Sequence, residues 1–361
     1  MTVPPLLHLK SLTLDELGAR LAALGQPAYR AKQVMQWLYD KRANSFAAMS
    51  DLPAALRGQL AAEFAFDDVK PVRTLGSKDT TLKYLFQLGD GALIESVLIP
   101  ASPALYGEAS DRRTLCISTQ VGCAYGCKFC ASGLDGWSRN LSAGEIVEQV
   151  LRVEELSSEK INNIVFMGMG EPLANFANLM RAIGIINAPW GVHLGARHIT
   201  ISTSGLAPQI RELAEQPLQV RLAISLHGAT DEVRSQIMPV NRKYPVAALL
   251  EACAYYTERK KQWLTFEYIL IAGVNDRPED AAALVRVARK VKAKINCIPY
   301  NKVEGLDWVR PSEARQDAFM AVLTAARIPA FLRREKGSDI AAACGQLRRQ
   351  TLPTPADLRT V

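Results

Sequence analysis

Three cysteines are crowded into eight residues of this sequence, and their spacing predicts a metal centre. Cys123, Cys127 and Cys130 lie in the stretch GCAYGCKFC with the spacing C-x3-C-x2-C. A structural zinc site normally takes four ligands, and Cys116, just upstream, is the nearest candidate for the fourth. The other solution is an iron–sulfur cluster held by three cysteines, which leaves one iron open to a ligand that is not protein.

The composition is that of a globular chain with one large core and a small additional domain. It has 361 residues, of which 48% are hydrophobic. No apolar run approaches the ~20 residues needed to cross a bilayer, and the first residues lack a leader pattern, so a cytoplasmic protein without membrane contact is expected. Seven cysteines, an odd number, fit a reducing compartment better than a disulfide framework.

The charge balance favours a polyanionic partner without identifying it. The chain has 43 Lys and Arg residues against 36 Asp and Glu residues, a net charge of +7. Basic clusters occur at Lys261, at 290–294 and at 333–336. They are either solvated helix faces or, if the fold brings them together, a surface that grips phosphates.

The elements around the cysteines change character along the chain. The first ~65 residues predict helices, with a capping box from Thr13 to Glu16. The stretches TLKYLFQL and ALIESVLI, separated by the turn GDG at 89–91, predict a β-hairpin. From Arg113 onward, short apolar strands alternate with helical stretches, which predicts a parallel sheet covered by helices, either a barrel or an open doubly wound sheet.

Glycine and polar residues follow several of these predicted strands. The stretches are 168–171, 202–205, 225–228 and the single residue Asn301. Glycine and serine often do no more than end a strand. In a barrel, however, the carboxyl ends of all strands meet on one face, so these residues would line a single site.

The cysteine motif, with Phe129 before its last cysteine and GMGE at 168–171, resembles the radical S-adenosylmethionine (SAM) superfamily. More closely, CISTQVGCAYGCKFC, MGMGEPLAN, ISTSG, ISLHG, IPYN and DIAAACGQL resemble the RlmN family of 23S rRNA adenine-C2 methyltransferases over nearly the whole chain. The resemblance implies one [4Fe-4S] cluster on Cys123, Cys127 and Cys130, and SAM used twice per turnover.

The resemblance also assigns roles to the isolated cysteines. It implies that Cys344 is methylated by a first SAM, that a 5′-deoxyadenosyl radical from a second SAM activates this methyl group, and that Cys116 resolves the covalent RNA adduct through a disulfide. Glu95 aligns with the family's proposed proton acceptor, and its apolar neighbours suggest a raised pKa. Cys253 and Cys297 match no motif and are predicted core residues.

The SAM contacts implied by the resemblance lie at the predicted strand ends. They are Gly170, Glu171, Ser202, Ser225, Leu226, His227 and Asn301. One departure from the family is Ala341, which stands where DIDAACGQL has an acid.

The resemblance implies 23S rRNA as substrate, before ribosome assembly is complete. C2 lies on the Watson–Crick edge, so the target base must be unpaired. Some family members also methylate a tRNA adenine beside the anticodon. A flavodoxin-type electron donor and a monomeric state are further expectations. Two alternatives remain: Cfr-type methylation at C8, and a zinc-containing RNA-binding assembly factor without catalysis.

The predicted fold class is α/β, a radical SAM partial (β/α) barrel of parallel strands with an N-terminal helical accessory domain and a connecting β-hairpin. The predicted boundaries are 1–75 for the helical, RNA-binding domain, 76–112 for the hairpin and linker, 113–345 for the barrel and 346–361 for a C-terminal tail.

Overall fold

The structure is a computed structural model that describes residues 6–66, 69–101, 111–134, 136–333 and 336–347. Its amino-terminal part is helical, as predicted. The helices are α1 (Leu14–Ala23), α2 (Tyr29–Tyr39) and α3 (Ala54–Glu63), and two short strands, β1 (Leu7–His8) and β2 (Phe64–Ala65), pair in parallel. Thr13 and Glu16 form the predicted capping box, because each side chain accepts a hydrogen bond from the other residue's backbone N–H.

A buried ion pair joins this helical part to the rest of the chain. Lys10 Nζ lies 2.5 Å from Glu148 Oε1 on helix α4 (Ala143–Ser157) and donates to the carbonyl oxygen of Phe66 at 2.8 Å. His8 Nε2 lies 3.3 Å from the same carboxylate. Removing one partner of a buried pair leaves an uncompensated charge, so these contacts specify where the helical part docks.

Within the described residues, ten strands form one continuous sheet. Its order is β14-β13-β12-β11-β10-β9-β6-β5-β4-β3, and β7 and β8 form a separate antiparallel pair. The strands are β3 (Val69–Gly76), β4 (Leu82–Leu88), β5 (Leu93–Pro100), β6 (Arg113–Cys116), β7 (Gln120–Gly122), β8 (Trp137–Asn140), β9 (Asn163–Phe166), β10 (Ile199–Thr203), β11 (Arg221–Ser225), β12 (Leu264–Leu270), β13 (Ala293–Pro299) and β14 (Ala330–Leu332).

The order of the strands decides between the two predicted sheet types. From β6 through β9 to β14, each strand is parallel to its neighbour and follows it in chain order. A doubly wound sheet would reverse its order beside the first strand. The progression without reversal is that of a partial barrel, so the predicted fold class is confirmed.

Helices connect the parallel strands and cover one side of the sheet. They are α5 (Phe176–Asn187), α6 (Ala207–Glu215), α7 (Asp231–Ile237), α8 (Val246–Lys260), α9 (Pro278–Val291) and α10 (Glu313–Ala325), in addition to α4. Cys253 and Cys297 are fully buried in the core, as predicted. Because the strands are parallel, their carboxyl ends share one edge of the sheet.

The predicted hairpin is present and is larger than expected. Strands β4 and β5 pair around the turn at 89–91, and β5 also pairs with β6, so the hairpin extends the barrel sheet. The structure adds β3 at 69–76, a stretch placed in the helical domain by the predicted boundaries. Most of the predicted linker (102–110) and of the predicted tail (348–361) lies outside the described residues.

Candidate active site

The three clustered cysteines lie in one tight loop at the carboxyl edge of the sheet. The loop follows β7 and returns through β8, and the N–H of Cys123 donates to the carbonyl oxygen of Gly136 at 3.0 Å. A Cβ atom on Gly122 would lie 1.9 Å from that oxygen, so only glycine fits there. The N–H of Cys130 donates to the carbonyl of Cys127 at 3.1 Å, which closes the loop.

The surroundings of these thiols favour their neutral form when no metal is bound. Burial raises the pKa of Cys123 to about 12 and also raises the pKa of Cys127 and Cys130. Metal binding requires thiolates, so it would release protons from this loop.

A small cavity of about 140 Å³ opens beside the cysteine loop. Besides the three cysteines, it is lined by the carboxyl ends of β9, β10 and β11. Of the residues predicted to contact SAM, the following lie on its wall: Gly170, Glu171, Ser202, Ser225 and His227. The structure therefore brings three of the four predicted strand-end stretches to one cavity, and their contact with SAM stays a prediction.

Glu171 is the buried carboxylate of this cavity. One carboxylate oxygen accepts the N–H of Ser204 at 2.7 Å and the other accepts the N–H of Leu173 at 3.1 Å. Burial raises its pKa, and these hydrogen bonds oppose that rise. Gly170 precedes it with a φ of +100°, and a Cβ there would lie 2.5 Å from Gln120 Cβ, so glycine brings the backbone close to the cavity.

His227 is neutral and held in one orientation. Its Nδ1 accepts the N–H of Ile269 at 3.0 Å, so Nε2 carries the proton. Burial, with a contribution from Arg234, lowers its pKa to about 3. The ring packs edge-on against Phe129 with 4.6 Å between ring centroids, which ties the cysteine loop to the end of β11.

Two predicted SAM contacts lie elsewhere. Leu226 is fully buried, and its carbonyl oxygen already accepts from Arg234 at 3.0 Å. Asn301 lines a neighbouring larger cavity, where its side chain donates to the carbonyl of Cys344 at 3.2 Å. Contact of either residue with SAM stays a prediction.

The larger cavity, of about 500 Å³, brings Cys116 and Cys344 together. Cys116 ends β6 and is 8% exposed. Burial and the neighbouring Cys344 raise its pKa to about 12, while Arg333 opposes the rise. Cys116 shares the larger cavity with Cys130 and does not line the small cavity of Cys123 and Cys127. Cys344 lines both cavities.

Residues 336–347, which we call the strap, hold Cys344 at this position. At one end, Asp79 accepts the N–H of Gly337 at 2.8 Å, and Asp339 accepts the hydroxyl of Ser77 at 2.6 Å. At the other end, the N–H of Ala131 donates to the carbonyl of Gly345 at 2.7 Å. The strap therefore runs from the β3–β4 turn to the cysteine loop.

Glu95 is buried in β5 and paired with a cation. Its Oε1 lies 3.0 Å from Lys83 Nζ, which also donates to the carbonyl of Ala341 at 3.3 Å. Val97 lies opposite Cys116 in the register, so Glu95 faces the same side of the sheet as Cys116. The sequence suggested purely apolar surroundings; the structure supplies Lys83, which favours the charged carboxylate.

Comparisons with known proteins agree with this geometry. Residues 117–285 match the family model of the radical SAM superfamily, and residues 7–65 match that of the ribosomal RNA large subunit methyltransferase N-terminal domain. A protein of Akkermansia muciniphila named "probable dual-specificity RNA methyltransferase RlmN" is 54% identical over 346 residues, 96% of each chain. The chain belongs to the RlmN family of radical SAM RNA methyltransferases.

Two further proteins are similar to this chain over nearly its whole length. The dual-specificity RNA methyltransferase RlmN of Syntrophotalea carbinolica is 45% identical over 349 residues, covering 97% of this chain and 91% of that protein. The crystal structure of a radical SAM methyltransferase from Sphaerobacter thermophilus superimposes with a TM-score of 0.89 at 44% identity, covering 95% of this chain and all of the other.

Membership of the superfamily implies a [4Fe-4S] cluster and SAM, and the residues present fit both. Three thiols and an adjoining cavity suit a cluster that leaves one iron open. Among the described residues, no three or more His, Cys, Asp or Glu side chains converge as the ligands of one ion would. The cysteines of an iron–sulfur cluster each bind a different iron, so their sulfur atoms lie further apart than the ligands of a single ion do.

Long charged side chains at the site were missed by the sequence analysis. Arg234 is fully buried and donates to the carbonyls of Ser204 and Leu226. Glu267 lines the small cavity, and its pKa is raised by burial. Arg333 contacts Cys344. One signal was available: Glu267 is the only charged residue of LTFEYILI, and a charge within a buried strand indicates a site.

The basic segments of this RlmN-family chain are split between two edges of the sheet. Arg333 and Lys336 line the larger cavity at the carboxyl edge. Lys261 precedes β12, and the segment 290–294 leads into β13, so both lie at the amino edge. The three segments therefore do not lie at one edge of the sheet, and their contact with RNA phosphates stays a prediction; Arg334, in the third, lies outside the described residues.

Replacing Lys290 and Lys294 together by glutamine is expected to change RNA affinity by less than about twofold. Lys294 lies four residues before Ile298, which lines the larger cavity, so β13 separates the two by about 13 Å, more than one Debye length at 0.1 M salt. Binding of a 23S rRNA fragment across a salt series, beside the wild type, measures this. Weaker binding with a smaller salt slope would place RNA on the amino edge.

No helix among the described residues is both long and apolar enough to traverse a bilayer.

Proposed function

We propose that this chain methylates C2 of one adenine in 23S rRNA through a methylated Cys344, and that a tRNA adenine beside the anticodon is a second substrate. The observation that carries the proposal is the position of Cys344. It borders the small cavity beside the cysteine loop and the larger cavity that contains Cys116. The dual-specificity names of the relatives support two classes of RNA.

The target atom explains why two sulfurs are useful. Adenine C2 lies between two ring nitrogens and has no lone pair with which to attack a methyl group. When bound, a first SAM would supply the methyl group. The cluster and a second SAM would supply a carbon radical in the same turnover, with an electron from a flavodoxin-type donor. The chain contributes a sulfur that receives the methyl group and then presents it to the base, a form of covalent catalysis.

Each of the remaining residues has one task in this scheme. Glu95 accepts the proton of C2; it faces the same side of the sheet as Cys116 and lies 3.0 Å from Lys83. Cys116 then attacks the sulfur of Cys344, releases the methylated RNA and forms a disulfide that an external thiol reduces. Asn301 orients the strap through the carbonyl of Cys344.

The larger cavity suits an unpaired base. Its volume of about 500 Å³ is within the range of ligand pockets, and both sulfurs line its wall. A paired adenine keeps C2 inside the helix, so the substrate is RNA with this base exposed, such as 23S rRNA before assembly is complete.

The test is nucleoside mass spectrometry after anaerobic incubation of reconstituted protein with SAM, a reductant and protein-free 23S rRNA. We expect 2-methyladenosine with the wild type and none with Cys344→Ala, while the cluster content stays the same. 8-Methyladenosine would assign Cfr-type chemistry instead. A colourless protein with one zinc would favour the assembly factor, and no methylated base from protein with an intact cluster would overturn the proposal. The same assay with tRNA tests the second substrate.

A further inference from the structure

A guanidinium group contacts the sulfur of Cys344. Arg333 follows β14, and its backbone N–H donates to the carbonyl of Cys297 at 2.8 Å, which fixes where the side chain starts. Its Nη1 donates to Cys344 Sγ at 3.1 Å. The half-buried side chain lines the larger cavity. Under the proposed function, Arg333 therefore touches an atom that reacts.

The same cation faces two further acidic groups. Its charge opposes the rise in the pKa of the buried Cys116 thiol and of the buried Glu267 carboxyl. Cys116 lines the larger cavity with Cys344, and Glu267 lines the small one. Arg333 therefore lines the larger cavity together with both sulfurs of the proposed reaction.

We propose that Arg333 is a further catalytic residue that stabilises the reacting sulfurs of Cys344 and Cys116 one after the other. This inference rests on the proposed function. In the first step, the electron pair of the Cys344 thiolate forms a bond to the methyl carbon of SAM. The electron pair of the broken sulfonium bond stays on the departing thioether, so the positive charge of SAM and the negative charge of Cys344 disappear together.

In the second step, the guanidinium serves Cys116. Methylation makes the sulfur of Cys344 neutral, so the charge of Arg333 then favours a Cys116 thiolate. This thiolate attacks the sulfur of Cys344, and the disulfide forms as the bond from that sulfur to the RNA-bound carbon breaks. The electron pair leaves with the carbon, which takes up a proton and completes the methyl group.

The contact between the Arg333 guanidinium and the Cys344 sulfur is charge-assisted, and we therefore expect it to accelerate the methylation of Cys344. Hydrogen bonds from an ionised donor are about twice as strong as neutral ones, and a guanidinium stays charged at any working pH. A neutral donor or an apolar side chain at 333 would remove the cation that donates a hydrogen bond to the thiolate; Arg310 and Lys336 line the same cavity.

The experiment compares Arg333→Gln with Arg286→Gln. Arg286 is exposed on α9 and gives the same substitution away from the cavity. The rate of Cys344 methylation is measured by peptide mass spectrometry during a single incubation with SAM. We expect methylation about 10- to 100-fold slower in Arg333→Gln, the factor for losing a hydrogen bond to a charged group, and wild-type rates in Arg286→Gln. Iron content and the cluster spectrum should equal those of the wild type.

Each result of this comparison has one meaning. If the wild type never methylates Cys344, the proposed function fails. If the wild type methylates Cys344 and Arg333→Gln does so at the same rate, the role of Arg333 is wrong and the proposed function stands. If Arg333→Gln does not hold the cluster, Arg333→Lys decides: a rate at or below that of the wild type supports the charge argument, because lysine keeps the charge, and no methylation overturns it.

The second step is tested on protein whose Cys344 has already been methylated to completion. After RNA is added, Arg333→Gln should accumulate RNA covalently bound to Cys344, whereas the wild type should release it. Release at the wild-type rate would confine the role of Arg333 to the first step and overturn the proposal that it also serves Cys116.

Discussion

Replacing Cys116 by alanine is expected to trap the RNA substrate covalently on Cys344. The two cysteines line the same cavity, so the sulfur at 116 is placed to attack the sulfur at 344, and alanine offers no nucleophile. Release of methylated RNA should fall more than about 10³-fold, as when an enzyme loses its nucleophile. A denaturing gel and mass spectrometry of the Cys344 peptide detect the RNA-linked protein.

Cys253→Ala is the matched control for this variant. It also removes one buried thiol, but Cys253 lies in α8 and borders neither cavity. It should release methylated RNA as the wild type does. Normal turnover by Cys116→Ala would exclude Cys116 as the resolving group.

The release step should also accelerate with pH. Burial raises the pKa of Cys116 to about 12, so at neutral pH the thiol is almost entirely protonated. The attacking form is the thiolate, and below its pKa this fraction grows about tenfold for each pH unit. Release of methylated RNA in a single turnover of wild-type protein with methylated Cys344 should therefore be roughly 100-fold faster at pH 9 than at pH 7. A flat profile would show that another event limits release.

Replacing Arg234 by methionine is expected to destabilise the protein by about 3–5 kcal/mol. The fully buried guanidinium donates to the carbonyls of Ser204 and Leu226 and to the side-chain oxygen of Asn241. Burial lowers its pKa to about 10, so it remains charged at neutral pH. Methionine fills part of the space and leaves these acceptors without a donor.

The midpoint of urea unfolding of the cluster-loaded protein measures this loss of stability. Arg286→Gln is the control for removal of a surface arginine. SAM affinity should fall as well, because Arg234 fixes the ends of β10 and β11 that line the small cavity. An unchanged midpoint would mean that water or neighbouring groups satisfy the same carbonyls.

Much of the fold was predictable because it depends on local patterns. Apolar strands alternating with helical stretches predicted the parallel sheet, and Thr13 with Glu16 predicted a helix start. The choice between barrel and doubly wound sheet depended on which strands pair. Strand order depends on contacts between residues distant in sequence. The periodicity of hydrophobic residues therefore does not predict it.

For the candidate site, too, the sequence predicted some residues and missed others. Motif spacing identified the cysteine loop, and the resemblance to the RlmN family implied the pair Cys116 and Cys344. Lys83, Arg234 and Arg333 were missed because long charged side chains are usually exposed, and nothing in the local sequence marks a buried one. Lys83 lies in a strand whose alternation suggested one polar face, yet the strap and Glu95 enclose it.

The strap also implies an order of events while the chain is being made. Its contacts with the cysteine loop, Ala131 to Gly345 and Ser132 to Leu347, join parts of the sequence more than two hundred residues apart. At roughly 5–20 residues per second, a ribosome needs about 10–40 s to travel from Cys130 to Cys344. Iron and sulfide delivered within that interval reach a loop that the strap has not yet covered, so co-translational loading would be faster than loading of the finished protein.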